Sequence, residues 1–212
     1  MSDATKQSRI VPVLWAILII AIVGGIVAGG LYSQSPKSVE FQMIASTAPS
    51  LAQADHDYYV WVHLVEFKPK KPNGSNWDSG NNSAPDADVR LYWRGNRIFI
   101  LPKREDQLIA TWDLFRVDVM QLVNSGGKID IEGAINAPIV RAGKNEPLTI
   151  EVWDSDLIGD DLALKMDVPI DNLYVGRNDI TPPPSSGLVR LRVDLIDRTT
   201  PLPKLIELAS GR

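Results

Sequence analysis

Apolar residues fall along this chain in two patterns. The first is one unbroken block, Ile10 to Tyr32, reading IVPVLWAILIIAIVGGIVAGGLY, 23 residues without a charge. At 1.5 Å per residue such a block crosses a bilayer core of about 30 Å, so it predicts a single transmembrane helix over 10–32. Pro12 sits in the first turn, where a missing N–H is tolerated, and Trp15 and Tyr32 lie near the two ends, where amphipathic rings favour the interface. A cleaved signal peptide is the rival, but its apolar region spans only about 7 to 15 residues. Lys6 and Arg9 before the block, against Lys37 alone after it, place residues 1–9 in the cytoplasm. The remainder of the chain is then extracytoplasmic, held at the plasma or inner membrane. Gly25 and Gly29 form a GxxxG pair that would let two such helices approach and make a homodimer.

The second pattern begins after a mixed Ser, Ala, Gln and Pro segment at 33–57, which reads as a stalk; FQMIA (41–45) within it could add an edge strand. From Tyr58 the apolar runs are short and alternate. YYVWVHLVEF is apolar at both phases, as for a strand buried on both faces. His63 within it reads as a sheet residue rather than a ligand. DVRLYW and RIFILP flank a Gly95-Asn96 turn and predict a hairpin. TWDLFRVDVMQLV alternates Phe115, Val117 and Val119 and reads as a strand, and an APIV run adds a short one. LTIEVW, LALKMDVPI and GLVRLRVDLI complete the set. Seven to eight strands with no interior helix predict an all-β domain over 58–197, an antiparallel β-sandwich. Residues 198–212 form a tail, helical or frayed.

Charge and rare residues narrow the chemistry. The formal charge of −4 offers no nucleic-acid footprint. The absence of Cys excludes disulfides and thiolate catalysis, and only His56 and His63 could serve histidine chemistry. What stands out is VWDSDLIGDD (152–161), a strand running into Asp154, Asp156, Asp160 and Asp161. Like charges this close repel unless offset, and a hard cation taking six to eight oxygen ligands would offset them; a solvated acidic turn is the alternative. A second acidic loop, NWDSGNNSAPDADV, supplies Asp78, Asp86 and Asp88. It follows Lys68, Lys70 and Lys71, which read either as a solvated strand end or as a small anionic-ligand site.

Three stretches, in order, resemble a C2 domain, the eight-stranded Greek-key sandwich that in many members binds calcium through loops at one end. NWDSGNNSAPDADVRLYWRG resembles its first calcium loop and following strand, TWDLFRVDV its Trp-containing fourth strand, and LTIEVWDSDLIGDDLAL its strand and third loop. The resemblance covers Tyr58 to Ile196. It implies calcium ligation by Asp78 and Asp86 from the first loop and by Asp154, Asp156 and Asp161 from the third, with Asp88 and Asp160 as substitutes. It further implies that positions left open on the ion take an anionic group such as a phospholipid headgroup.

Together these features predict a membrane-anchored, non-enzymatic, calcium-binding module. The alternative is a calcium-independent interaction scaffold in a membrane complex. An enzyme using paired Asp residues as acid and base would need a cleft and further groups that the sequence does not supply.

Overall fold

The computed structural model describes residues 49–78, 83–126, 128–156 and 159–210, all within the compact unit Thr47–Arg212. The helix expected at 10–32, its Gly25 and Gly29 pair, the tail at 1–9 and the stalk as far as residue 48 lie outside the described residues. Among the described residues no helix is long and apolar enough to cross a membrane. The last part of the expected stalk belongs to the domain: Leu51 bridges to Tyr174, and the buried Ala52 donates its N–H to Leu173 O at 2.8 Å.

Two antiparallel sheets enclose the main core. The first contains β1 (Asp57–Phe67), β4 (Ile109–Thr111), β5 (Ile139–Arg141), β8 (Gly176–Ile180) and β9 (Leu188–Asp197), in the order β4-β1-β9-β8 with β5 pairing β1. The second contains β2 (Ala87–Trp93), β3 (Asn96–Ile100), β6 (Pro147–Ser155) and β7 (Asp160–Pro169), in the order β3-β2-β6-β7. The result is the expected β-sandwich, with nine strands among the described residues rather than seven or eight.

The double-sided apolar pattern of β1 has a direct explanation. Tyr58, Val60 and Val62 face the core between the sheets, while Tyr59 and Trp61 face a second apolar cluster. A register shift between Val62 and Leu64 moves the inward phase to Val65 and Phe67. The second cluster is covered by α1 (Val119–Asn124), α2 (Ile131–Ala134) and α3 (Leu202–Ser210), which contribute Leu122, Ala134, Leu205 and Ala209. Trp61, fully buried there, donates its indole N–H to Trp112 O at 3.1 Å. An aromatic of this size removes roughly 150–250 Å² from water, an upper bound on the order of 4–6 kcal/mol at ~25 cal/mol/Å².

The helices α1 and α2 correct two expectations, that the domain has no interior helix and that TWDLFRVDVMQLV is one strand, while α3 falls in the tail expected to be helical or frayed. The ladder with β1 stops at Thr111, and the chain turns into α1 at Asp118, whose carboxylate accepts from the N–H groups of Met120 and Gln121. Leu122 then becomes the buried residue of a helix. The hairpin is present, but its two turn residues are Arg94 and Gly95, both at positive φ, one position earlier than Gly95-Asn96.

One buried charge carries a pH signature. Asp194, on β9 opposite Trp61 and Arg177, is 7% exposed, and its Oδ1 has no hydrogen-bond partner. Burial raises its pKa above the ordinary carboxylate value, Arg177 and Arg192 work against that rise, and Asp179 adds to it. A raised folded-state pKa means that ionisation costs stability, increasingly as pH climbs from about 4 through the folded pKa. Asp194→Asn is therefore expected to melt higher than the parent at pH 7, with the gap closing as pH falls towards 4. An equal gap at both pH values in thermal melts would rule out an ionised Asp194 as its cause.

Candidate metal centre

The centre forms where β2, β6 and β7 end together. Along β6 the inward-facing residues are Leu148, Ile150 and Val152, and the same phase delivers Asp154, which is 0% exposed. A carboxylate thus occupies the position of a core aliphatic. In register it stands opposite Ala87 of β2 and Asp161 of β7. Its Oδ1 accepts the N–H of Asp86 at 2.8 Å, while its Oδ2, equally buried, has no hydrogen-bond partner. Desolvation raises its pKa, opposed by the Asp86 N–H and aggravated by the charge of Asp78.

Asp78 and Asp156 converge on the Asp154 carboxylate. One carboxylate oxygen from each of Asp78, Asp154 and Asp156 lies within 4.8 Å of the others. Asp78 also accepts from the Ser83 hydroxyl. Asp156 is pushed up to about 6, first by burial and then by its hydrogen bond with Asp78 and the charges of Asp154 and Asp78; Ser83 and the same bond hold Asp78 low. Asp78 and Asp156 can therefore share a proton only at acidic pH, and above that two like charges face each other unless a cation offsets them.

The other carboxylates expected here are engaged by side chains. Asp86 pairs with Lys103 at 2.6 Å and accepts from Asp106 N at 2.9 Å. Asp161 is bound by Lys71. Asp88 and Asp160 are bridged by Arg90, at 2.6 and 3.0 Å; Asp88 lies at the phase of β2 opposite the core-facing Ala87 and Val89, which keeps it out of the cluster. Among the lysines, Lys68 donates to the carbonyls of Pro184 and Ser186 at 2.6 and 2.8 Å, fastening β1 to the segment before β9. Lys70 is exposed. Lys71 turns inward, against the expectation of a solvated or ligand-facing strand end.

Three residues of the site carried no recognised signal in the sequence. Lys103 and Arg90 act as counter-ions only because the segment after β3 and β2 itself deliver them. Trp77, 2% exposed, anchors the first acidic loop: its ring meets Phe67 edge-on at 5.3 Å, and its indole donates to Lys68 O at 2.7 Å. A lone large aromatic in an otherwise polar loop, directly before Asp78, was the available clue.

No protein-family model matches the chain, and none of the curated proteins matches it. Among solved structures it is similar to a C2 domain, at 13% identity over 66% of this chain and 98% of that one, with TM-score 0.40. It is similar also to a C2 domain of plant extended synaptotagmin 1, at 10% identity over 70% and 100%, with TM-score 0.44. A third is human GIVD cytosolic phospholipase A2 in complex with methyl gamma-linolenyl fluorophosphonate inhibitor and terbium chloride. It shares 14% identity over 72% of this chain but only 18% of that one, with TM-score 0.43. Each is a likeness alone, and the functional reading rests on the strand order and the carboxylate geometry.

Proposed function

We propose that this domain is a non-enzymatic binding module that takes a calcium ion at Asp78, Asp154 and Asp156, and through the ion an anionic ligand such as a phospholipid headgroup. The observation that carries this reading is Asp154, fully buried, with its Oδ2 lacking a hydrogen-bond partner and its carboxylate grouped with two others. A hard cation suits such a donor set, since three carboxylates supply up to six oxygens and leave positions for an outside anion. When bound, the ion would neutralise the cluster and polarise that anion. The protein's own part is to hold Asp154 rigidly in a strand and to close Asp78 over it from the Trp77-anchored loop. The uncharged run at 10–32 supports anchoring of the module to a membrane, with the domain on the extracytoplasmic side.

A second reading is favoured by one specific observation: Lys71 and Lys103 already provide internal cations to Asp161 and Asp86. On that reading the sandwich is an ion-independent interaction scaffold. Calorimetric titration of calcium into the 212-residue chain separates the two. Saturable binding, in the range of about 10⁻⁴ to 10⁻³ M found for extracellular modules and weaker for magnesium, is the expected result. No heat at tens of millimolar calcium would leave the scaffold.

A further inference from the structure

The carboxylate cluster has a cation of its own beside it. Lys71 leaves the polar loop after β1 and turns under it, so that its side chain is only 14% exposed. Its ammonium is bound to the Asp161 carboxylate, donates to Trp77 O at 2.5 Å and lies 3.9 Å from Asp154 Oδ2. The last is too long for a hydrogen bond but well within ion-pair range. The same group sits 5.6 Å from the Trp77 ring centroid. A strongly hydrated ammonium is seldom buried in this way unless oxygen atoms replace its water, and here the Asp161 carboxylate and the Trp77 carbonyl do so at the edge of the three-carboxylate group.

The geometry points to Lys71 as a built-in counter-cation of the centre, one that a divalent ion must displace and that therefore sets the concentration at which the site fills. This role for Lys71 rests on the calcium reading and specifies what regulates it. With Asp154 Oδ2 3.9 Å from the Lys71 nitrogen, an ion ligated by that oxygen at about 2.4 Å would stand within about 6.3 Å of the same nitrogen. Neither charge is screened by bulk solvent at that separation, so the two repel. Moving Lys71 relieves the repulsion and frees Asp161, which is in register with Asp154 across β6 and β7, to join Asp78, Asp154 and Asp156 as a fourth acidic ligand. Lysine and calcium thus compete for the same carboxylates, and the lysine raises the calcium concentration at which the site half-fills. Lys103 is placed differently: its ammonium lies on Asp86 and the Ser155 carbonyl, outside the three-carboxylate group.

The test compares calcium titrations of the parent chain, Lys71→Met and Lys71→Arg by calorimetry, in each case on the full 212 residues. Lys71→Met, which keeps an unbranched stem and removes the ammonium, is expected to bind calcium at least about tenfold more tightly. Lys71→Arg is expected to bind no more tightly than the parent. In chelator Lys71→Met should melt lower, because Asp161 and Asp154 lose their counter-charge while nothing replaces it; calcium should restore the loss. Should Lys71→Met fail to give a cooperative melt, Lys71→Gln carries the same comparison, since its amide can still donate to the Trp77 carbonyl. Equal or weaker affinity in the neutral variant, with the parent still binding, overturns the role of Lys71 and leaves the calcium site standing. Absence of binding in parent and variants alike overturns both.

Discussion

Trp77→Ala is expected to lower the melting temperature by roughly 6–20 °C and to weaken cation binding in the same variant. Truncating a buried Trp costs about 3–5 kcal/mol, and each kcal/mol moves the midpoint of a domain of this size by about 2–4 °C. The link to the site is covalent: Asp78 is the next residue, and Lys71 donates to the Trp77 carbonyl. Removing the ring releases the loop from Phe67 and from Lys68 O, so the carboxylate that reaches Asp154 loses its fixed position. A second substitution reaches the same contact from the other side. A Cβ added at Gly187 would overlap the Trp77 ring and stand 3.3 Å from Ala163 Cα, so Gly187→Ala should displace the ring at a cost of about 1–3 kcal/mol. Thermal melts and calcium titrations of both variants check this. Melting within a degree or two of the parent would mean that Trp77 does not anchor the loop.

How much of this architecture was readable from the sequence depended on whether a signal was local. β1, β6 and β9 announced themselves because burial leaves an apolar run that no loop would carry. β8, Gly176–Ile180, reads GRNDI and has no such run; it is a strand because β9 offers it an edge. The two interior helices, α1 and α2, were missed for a related reason. Val119, Leu122 and Val123 fit either period over so few residues, and the decision rests on the Asp118 cap, which the alternation of Phe115, Val117 and Val119 concealed. Within the site, the sequence counts carboxylates but cannot count the cations that come to meet them. Asp86 and Asp161 resemble ligands as well as Asp154 does, yet Lys103 and Lys71 reach them from distant positions in the chain. Burial makes the difference for Asp154, and it is a consequence of strand phase: Leu148, Ile150, Val152 and Asp154 share one face, which could have been read from the spacing alone.

That phase yields the expectation with the most discriminating sign. In chelator, Asp154→Asn should melt at or above the parent, because burial raises the Asp154 pKa and its ionised form therefore costs stability at neutral pH. The amide keeps the side-chain volume and the oxygen that accepts the Asp86 N–H. In calcium the order should reverse. An ion that binds only the folded state at about a hundred times its dissociation constant stabilises the parent by roughly 2.7 kcal/mol, or about 5–10 °C for a domain of this size. The variant, with the central carboxylate gone, should show no such shift. A solvated acidic turn predicts neither half of this pair, since substitution there would be nearly silent in both buffers. Melting curves of the two chains in chelator and in tens of millimolar calcium check it. If the parent melts at the same temperature in both, the buried oxygen of Asp154 serves no ion, and the lysines that surround the cluster are its permanent counter-charges.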